Sequence, residues 1–413
     1  MNKYIKSIEG CIPNTHKNVD VKLDGKNLII TGANGSGKTS FLREIYEKTE
    51  VLIVQKKQAD LPGIQRNYDD AIKYWKEHTV KGTSEYENSE RNVKYYKKEL
   101  DSILLGLEIS IQDNIGFSAL YDERIAVVKL FEAGRTANIF HADTAKGLET
   151  EQRNKQSENS NNLGNNLEQH LVNLKNRRSL ALSEDGDYEL ADKIDSWFKH
   201  FEKNLKVLME DDSTCLKFNS DTLKFTILQE NKIPYTFQNL SSGYLSIFDI
   251  YADLLMRTEY FKVTPEDLKG TVFIDEIDVH LHVSLQRLIL PFLSRSFPSI
   301  QFIVTTHSPF VLMSVDDTII YDIGKCSQIE EDLSFYSYSA VMEGLLSTKT
   351  TSLILEETIF EISKIVNSDS KDFEKLKELI NKVKPLADKL ESREKVFYLL
   401  GVNVLLDQEM IDV

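Results

Sequence analysis

Gly32-Ala33-Asn34-Gly35-Ser36-Gly37-Lys38-Thr39 fits G-x-x-x-x-G-K-[ST] in full, and the fold is worked out from this stretch. Before it, Lys26–Thr31 (KNLIIT) is a short apolar run of β-forming residues bounded by Gly25 and Gly32; after it, Phe41 to Lys48 has helical character. A strand, a glycine-rich turn and a helix in that order turn backbone N–H groups and a helix N-terminus toward an anion, the arrangement that cradles phosphates. Lys38 is expected to reach the β- and γ-phosphates of a nucleotide, and the Thr39 hydroxyl to ligate Mg²⁺. Asn34, Gly35, Ser36, Gly37 and Ser40 complete the candidate phosphate-binding turn.

Three later stretches carry related chemistry. Thr271–Ile274 is an apolar strand that ends in Asp275 and Glu276. Adjacent carboxylates at the end of a buried strand are costly unless a cation or substrate sits there. Asp275 therefore fits as a Mg²⁺ partner and Glu276 as the base that orients an attacking water; a solvated strand end is the plainer alternative. Leu240-Ser241-Ser242-Gly243-Tyr244 precedes a helix, either as a simple N-cap or as a turn presenting hydroxyl and N–H groups to a phosphate. Val304-Thr305-Thr306-His307-Ser308-Pro309 ends another apolar strand on a histidine, about 30 residues past the acidic pair.

Working outward, 413 residues suffice for two or three domains, or for one domain with large insertions. Hydrophobic residues at 41% and charged residues at 28% exclude collagen-like and fully disordered chains. A formal net charge of -15 argues against a surface coated in basic residues for nucleic acid, although a local basic stripe is compatible with it. Cys11, Cys215 and Cys326 lie far apart without a CxxC pair, which implies cytosolic thiols rather than disulfides or a zinc site. The opening MNKYIKSIEGCIP has no apolar signal core, and no window approaches about 18 uninterrupted apolar residues. The expectation is a cytoplasmic chain with no membrane segment.

Val19–Leu23 is expected as an early strand and Glu50–Gln55 (EVLIVQ) as a further buried one. Ile64, Tyr68, Ile72 and Trp75 mark one helical face, and Gly82 a turn. Val93, Tyr96, Leu100, Ile103 and Leu107 then continue at spacings of three and four, forming the seam of a short antiparallel helical hairpin. Its first arm is expected to span about 20 Å. Ile125–Glu132 returns to strand character and ends at Ala133-Gly134-Arg135, followed by a polar loop from Thr150 to Asn166. Leu167, Leu171 and Leu174, then Leu190, Ile194, Trp197, Phe201, Leu205 and Leu208, make helical stripes suited to core packing. Cys215–Leu228 is expected as a β-hairpin. Helix 245–259, strand 271–275, helix 284–295, strand 301–306 and strand 318–323 then alternate. The expected organisation is an α/β P-loop domain from 1–60 and 211–350, including a strand near 125–135. A helical insertion at 61–210 splits it, and a helical tail at 351–413 follows.

The motifs, in this order, resemble the ABC-type ATPase family: P-loop, signature (here LSSGY), Walker B strand with its glutamate (VFIDE), and switch histidine (TTHSP). IDEIDVHLH followed by a helix and VTTHSPFVL is most similar to the clade of RecF, structural-maintenance-of-chromosomes proteins and overcoming-lysogenization-defect nucleases. The resemblance implies an ABC-type nucleotide-binding domain with ATP and Mg²⁺ as cofactors. It also implies Glu276, His307 and Lys38 in catalysis, Thr39 and Asp275 at the metal, and Asp278 at the start of the D-loop. Ser241 and Gly243 would then contact the γ-phosphate of ATP held by a second protomer, which requires a homodimer or a higher even oligomer. Tyr244 departs from the acidic or amide residue usual after the signature glycine. The Q-loop position lies either at Gln55 or at the strand ending in Ala133-Gly134-Arg135.

No Toprim, HNH or PD-(D/E)xK pattern is evident, so a nuclease is not expected within this sequence. Among family members the architecture is most similar to compact antiphage ATPases such as PtuA of Septu and AriA of PARIS. That likeness implies an ATPase that senses or gates a separately encoded nuclease effector. The alternative is a RecF-like repair or chromosome-organising clamp with nucleic acid as its partner.

Overall fold

Alternating burial along β2 (Asn18–Lys22) and partial burial along β1 (Ile5–Cys11), whose register shifts between Ile5 and Ser7, contrast with unbroken burial along β3 (Asn27–Thr31) and separate two kinds of sheet at the start of the chain. Half-exposed antiparallel sheets alternate, whereas central parallel strands are covered on both faces. The computed structural model describes residues 4–12, 15, 17–56, 61–104, 106–135, 137–147, 162–329, 331, 333, 336–345, 352–368, 371–390 and 392–408. After β3 come α1 (Lys38–Ile53), α2 (Leu61–His78), α3 (Ser84–Leu104), β4 (Leu107–Ile111), α4 (Asn114–Asp122) and β5 (Ala126–Phe131). Then follow α5 (Leu167–Leu180), α6 (Tyr188–Leu208), β6 (Cys215–Asn219), β7 (Lys224–Leu228), α7 (Ser242–Phe261) and β8 (Lys269–Ile274). The first unit is completed by α8 (Val283–Ser296), β9 (Ile300–Thr305), α9 (Pro309–Leu312), β10 (Thr318–Asp322) and β11 (Ser327–Ile329).

The main sheet has the order β11-β10-β3-β9-β8-β5, parallel except for the edge strand β11. A three-stranded antiparallel sheet, β2-β1-β4, shares one core with it through α1. Phe41 lies 6.2 Å from Tyr321, and Tyr46 packs edge-on to Phe273 at 5.6 Å. Fully buried side chains such as Phe41 and Phe273 each contribute about 1.5–3 kcal/mol. Gln301 stitches the sheets with polar bonds: its Oε1 accepts from Ile5 N at 2.9 Å, and its Nε2 donates to Lys26 O at 2.7 Å.

Several expectations need correction. Glu50–Gln55 is no strand, because α1 continues to Ile53. Phe41, Leu42, Ile45, Thr49 and Ile53 are buried at helical spacing, and a short apolar run does not by itself distinguish strand from helix. Leu107 does not extend the hairpin seam; it starts β4 and pairs with Gly10 of β1. The hairpin itself forms, with Trp75 and Tyr86 5.5 Å apart. Its arms of 18 and 21 residues are longer than expected, about 27 and 31 Å at 1.5 Å per residue. Most of the loop expected at Thr150–Asn166 lies outside the described residues, and Leu163–Asn166 is a 3₁₀ turn.

Within the 61–210 stretch, β5 is the strand expected near 125–135. β4 and β5 enter the two sheets, and Phe201 of α6 stacks on Tyr251 of α7 at 6.4 Å, leaving only α2 and α3 packed chiefly on each other. The chain divides after Tyr336, ahead of the expected 351. The second unit holds α10 (Tyr338–Gly344), α11 (Leu353–Val366), α12 (Phe373–Val383) and α13 (Ser392–Leu406). Its own core includes Ile362, Leu376, Ile380, Val383 and Leu405. Among the described residues no helix is long and apolar enough to cross a membrane.

Candidate active site

Parallel strands send their carboxyl ends to one edge of the sheet, where open α/β folds bind ligands. The P-loop leaves β3 at that edge, Asp275 and Glu276 leave β8, Thr306 and His307 leave β9, and Arg135 follows β5. Strand order thus brings together residues as distant in sequence as Lys38 and His307, and the Lys38 charge acts on the imidazole.

In the P-loop, Gly35 and Gly37 take φ of +73° and +102°, a left-handed backbone that glycine adopts without strain. Asn34, Gly35 and Ser40 are exposed, while Lys38 is only 6% exposed. Its Nζ donates to the carbonyls of Gly32 (3.1 Å) and Ala33 (3.2 Å). Burial lowers the ammonium pKa, and the charges of Glu276, Asp275, Asp278 and Asp322 oppose that fall. Ser36 Oγ is buried without a hydrogen-bond partner. An orphaned hydroxyl and an ammonium resting on its own loop are groups that phosphate oxygens would satisfy, so the residues fit a nucleotide.

Asp275 is 2% exposed, and its Oδ1 accepts from two hydroxyls, Thr39 Oγ1 at 3.1 Å and Thr305 Oγ1 at 2.6 Å. Among the described residues no group of three or more His, Cys, Asp or Glu side chains could hold a metal alone. A hydroxyl and a carboxylate oxygen side by side are a donor set that fits Mg²⁺, which takes one or two protein oxygens and completes its shell with phosphates and water. Thr39 and Asp275 are the residues placed to supply those oxygens.

Glu276 is half-buried just past Asp275 and the end of β8, at φ +46°. A non-glycine residue there is strained, and such strain persists only where neighbours over-determine it. Thr305 Oγ1 accepts from Glu276 N at 2.7 Å, and Arg135 holds the carbonyls on the other side. Thr306 Oγ1 donates to Asp278 Oδ1, fixing the loop after β8 to the end of β9. His307 is half-buried; burial first and Lys38 second lower its pKa, with Asp278 and Glu276 opposing. The imidazole is therefore neutral near pH 7.

The structure brings together Lys38, Thr39, Asp275, Glu276 and His307. Among the described residues neither Ser241 nor Gly243 makes a side-chain hydrogen bond to the P-loop. Ser241 is exposed at the N-cap of α7 and makes no side-chain capping bond. Gly243 is buried against the loop after β8, where an added Cβ would lie 2.9 Å from His280 O. Gln55 is exposed beyond the end of α1, so the helix removes it from strand-end geometry. Arg135 lies instead at the end of β5, next to β8. Arg135 closes the second of the two expected Q-loop positions, and its place beside the acidic pair follows from the pairing of β5 with β8.

Fold and site together define a P-loop nucleotide-binding domain with the motif order of ABC-type ATPases. The chain belongs to the family described as "AAA domain, putative AbiEii toxin, Type IV TA system", matched over residues 94–314. It is similar to the Retron Ec83 probable ATPase of Escherichia coli, 42% identical over 98 residues, covering 23% of this chain and 18% of that protein. It is also similar to the Septu protein PtuA of Bacillus mycoides (strain KBAB4), 33% identical over 174 residues, covering 38% of this chain and 23% of that one. The chain therefore matches less than a quarter of the length of either relative. Among solved structures, an SmcHead bound to the C-winged helix domain of ScpA aligns with 79% of this chain and 96% of its own, at 14% identity and a TM-score of 0.36.

Proposed function

We propose that this chain binds ATP with Mg²⁺ and hydrolyses it, as the gating subunit of a bacterial antiphage complex that acts through a separately encoded nuclease. The observation that carries the chemistry is the shared Asp275 Oδ1, bonded to Thr39 from the P-loop and Thr305 from the neighbouring strand, with Glu276 set just beyond it. Lys38, released from the carbonyls of Gly32 and Ala33, donates to phosphate oxygens. Thr39 and Asp275 hold the cation, which when bound neutralises charge on the phosphates. Glu276 orients a water and accepts its proton, and His307 lies where the Lys38 charge helps hold its pKa down. Ser241 and Gly243 serve the site of a second copy, making a homodimer the smallest active unit.

The defence role rests on similarity to retron ATPases and PtuA. The nuclease is assigned to surfaces that the nucleotide chemistry leaves unused. These include exposed Tyr74, Val80 and Tyr95 on the hairpin, and Ile354, Phe360, Val396 and Leu399 on the second unit. Lys38→Ala should abolish nucleotide binding. Glu276→Gln should bind ATP normally and hydrolyse it about 10²- to 10⁴-fold more slowly. Parent-level hydrolysis by Glu276→Gln would remove the base assignment. Affinity purification of the Glu276→Gln chain should recover a nuclease; recovery of DNA alone, with DNA-stimulated hydrolysis, would replace the defence reading with a repair clamp.

A further inference from the structure

Arg135 is a buried arginine whose guanidinium, among the described residues, hydrogen-bonds to carbonyls and to no carboxylate. Its NH1 donates to Asp275 O at 2.6 Å and Glu132 O at 3.2 Å. Its NH2 donates to Glu276 O at 3.0 Å and Ile277 O at 3.1 Å. One side chain thereby satisfies three consecutive carbonyls just past β8, where the backbone leaves the ladder and turns through Glu276 at φ +46°. Carbonyls released from a sheet in a buried place need donors, and a planar fork with several N–H groups can serve three at once. The opposite edge of the same turn is held by Thr305, through Oγ1 to Glu276 N and through its carbonyl to Ile277 N at 3.0 Å.

From these contacts we infer that Arg135 is a positioning residue for hydrolysis: it fixes the main chain of Glu276 so that the carboxylate points at the reacting water. The inference rests on Glu276 being the base. It adds a residue that makes no contact with nucleotide and acts only through the turn it holds. The surroundings suit a fixed charge. Burial pushes the Arg135 pKa down to about 10, so it stays charged at neutral pH, and Asp249 of α7 supplies the largest opposing charge. Asn162 Nδ2 in turn donates to Asp249 Oδ1.

Two variants and a cycle test this. Arg135→Lys keeps a charge but replaces the fork with a point donor, and Arg135→Gln keeps hydrogen bonding without charge. A misplacement of about 1 Å costs on the order of 100-fold in rate, so Arg135→Lys should lose roughly 10- to 100-fold in single-turnover hydrolysis. Nucleotide affinity, measured by titration with a fluorescent ATP analogue, should stay within about threefold, since ground-state binding is untouched. In the Glu276→Gln background the same change should cost nothing further, because both act through one group.

Hydrolysis by Arg135→Lys at the parent rate overturns the inference. So does loss of affinity in step with rate, or a full additional loss in the Glu276→Gln background. Failure of both Arg135 variants to fold assigns the residue to stability alone and also overturns it. An active Glu276→Gln removes the base assignment, and this inference with it. An inactive Glu276→Gln beside a fully active Arg135→Lys removes only the inference.

Discussion

A methyl group added to Gly243 would lie 2.9 Å from the carbonyl oxygen of His280, about half an ångström inside ordinary contact. The obstacle is main chain, and His280 sits at φ +62°, so it cannot swing aside as a side-chain tip would. Forcing extra volume into such a fit costs about 1–3 kcal/mol. Against this, alanine gains at most about 1 kcal/mol over glycine in a helix. The clash wins, and Gly243→Ala should lose about 1 kcal/mol net. Urea unfolding followed by circular dichroism measures it. Gly344→Ala, whose methyl meets nothing within 4 Å, isolates propensity alone. Hydrolysis should fall as well, because the displaced loop carries Asp278 and continues from Glu276. A raised urea midpoint for Gly243→Ala would show that propensity prevails and the loop yields freely. The idea that the start of α7 and the loop after β8 are fitted as one piece would then be refuted.

Gly270 should be still less tolerant: at φ +123° its added Cβ would fall 1.9 Å from Val127 O on the paired strand β5. Gly270→Ala should destabilise the chain by roughly 3 kcal/mol or more, and a midpoint shift under about 1 kcal/mol would contradict the pairing of β5 with β8. The third prediction concerns pH. Burial and Lys38 hold His307 below the ordinary imidazole value, so the folded chain binds that proton more weakly than the unfolded chain. Its contribution to stability is full above about pH 6.5 and is lost as pH falls through the depressed value. His307→Gln should flatten the decline in melting temperature between about pH 7 and pH 5; an unchanged slope would show that His307 does not titrate below its unfolded value.

The motifs that could be read from sequence are those whose chemistry is local. Gly32–Thr39 needs only its own glycines and the following helix, and Asp275 and Glu276 advertise themselves as charges ending an apolar run. The strand at 126–131 and the hairpin at 215–228 were legible for the same reason: periodicity and bounding turns act over a few residues. Glu50–Gln55 misled because six apolar-rich residues suit either period, and the helical register had already been set by Phe41 and Ile45. Leu107 misled because it keeps the hairpin's spacing while its partner, Gly10, lies nearly a hundred residues earlier.

Arg135 was hidden for a deeper reason. Nothing in Ala133-Gly134-Arg135 marks a buried cation, since an arginine after a glycine in a polar stretch is ordinarily solvated. Its role follows only from strand order. β8 lies between β9 and β5, so the turn at Glu276 is reached from one side by Thr305 and from the other by whatever follows Phe131. The neighbour on the β9 side is a hydroxyl that accepts the N–H of Glu276, which leaves the carbonyls to the β5 side and calls for a donor with more than one N–H. Glu276 O also accepts from Val279 N, so the carbonyls that depend on position 135 are those of Asp275 and Ile277, and a side chain reaching neither would leave both unmet, at about 1–3 kcal/mol each. Arginine is the side chain that meets the need, and the need exists only once three distant strands are side by side.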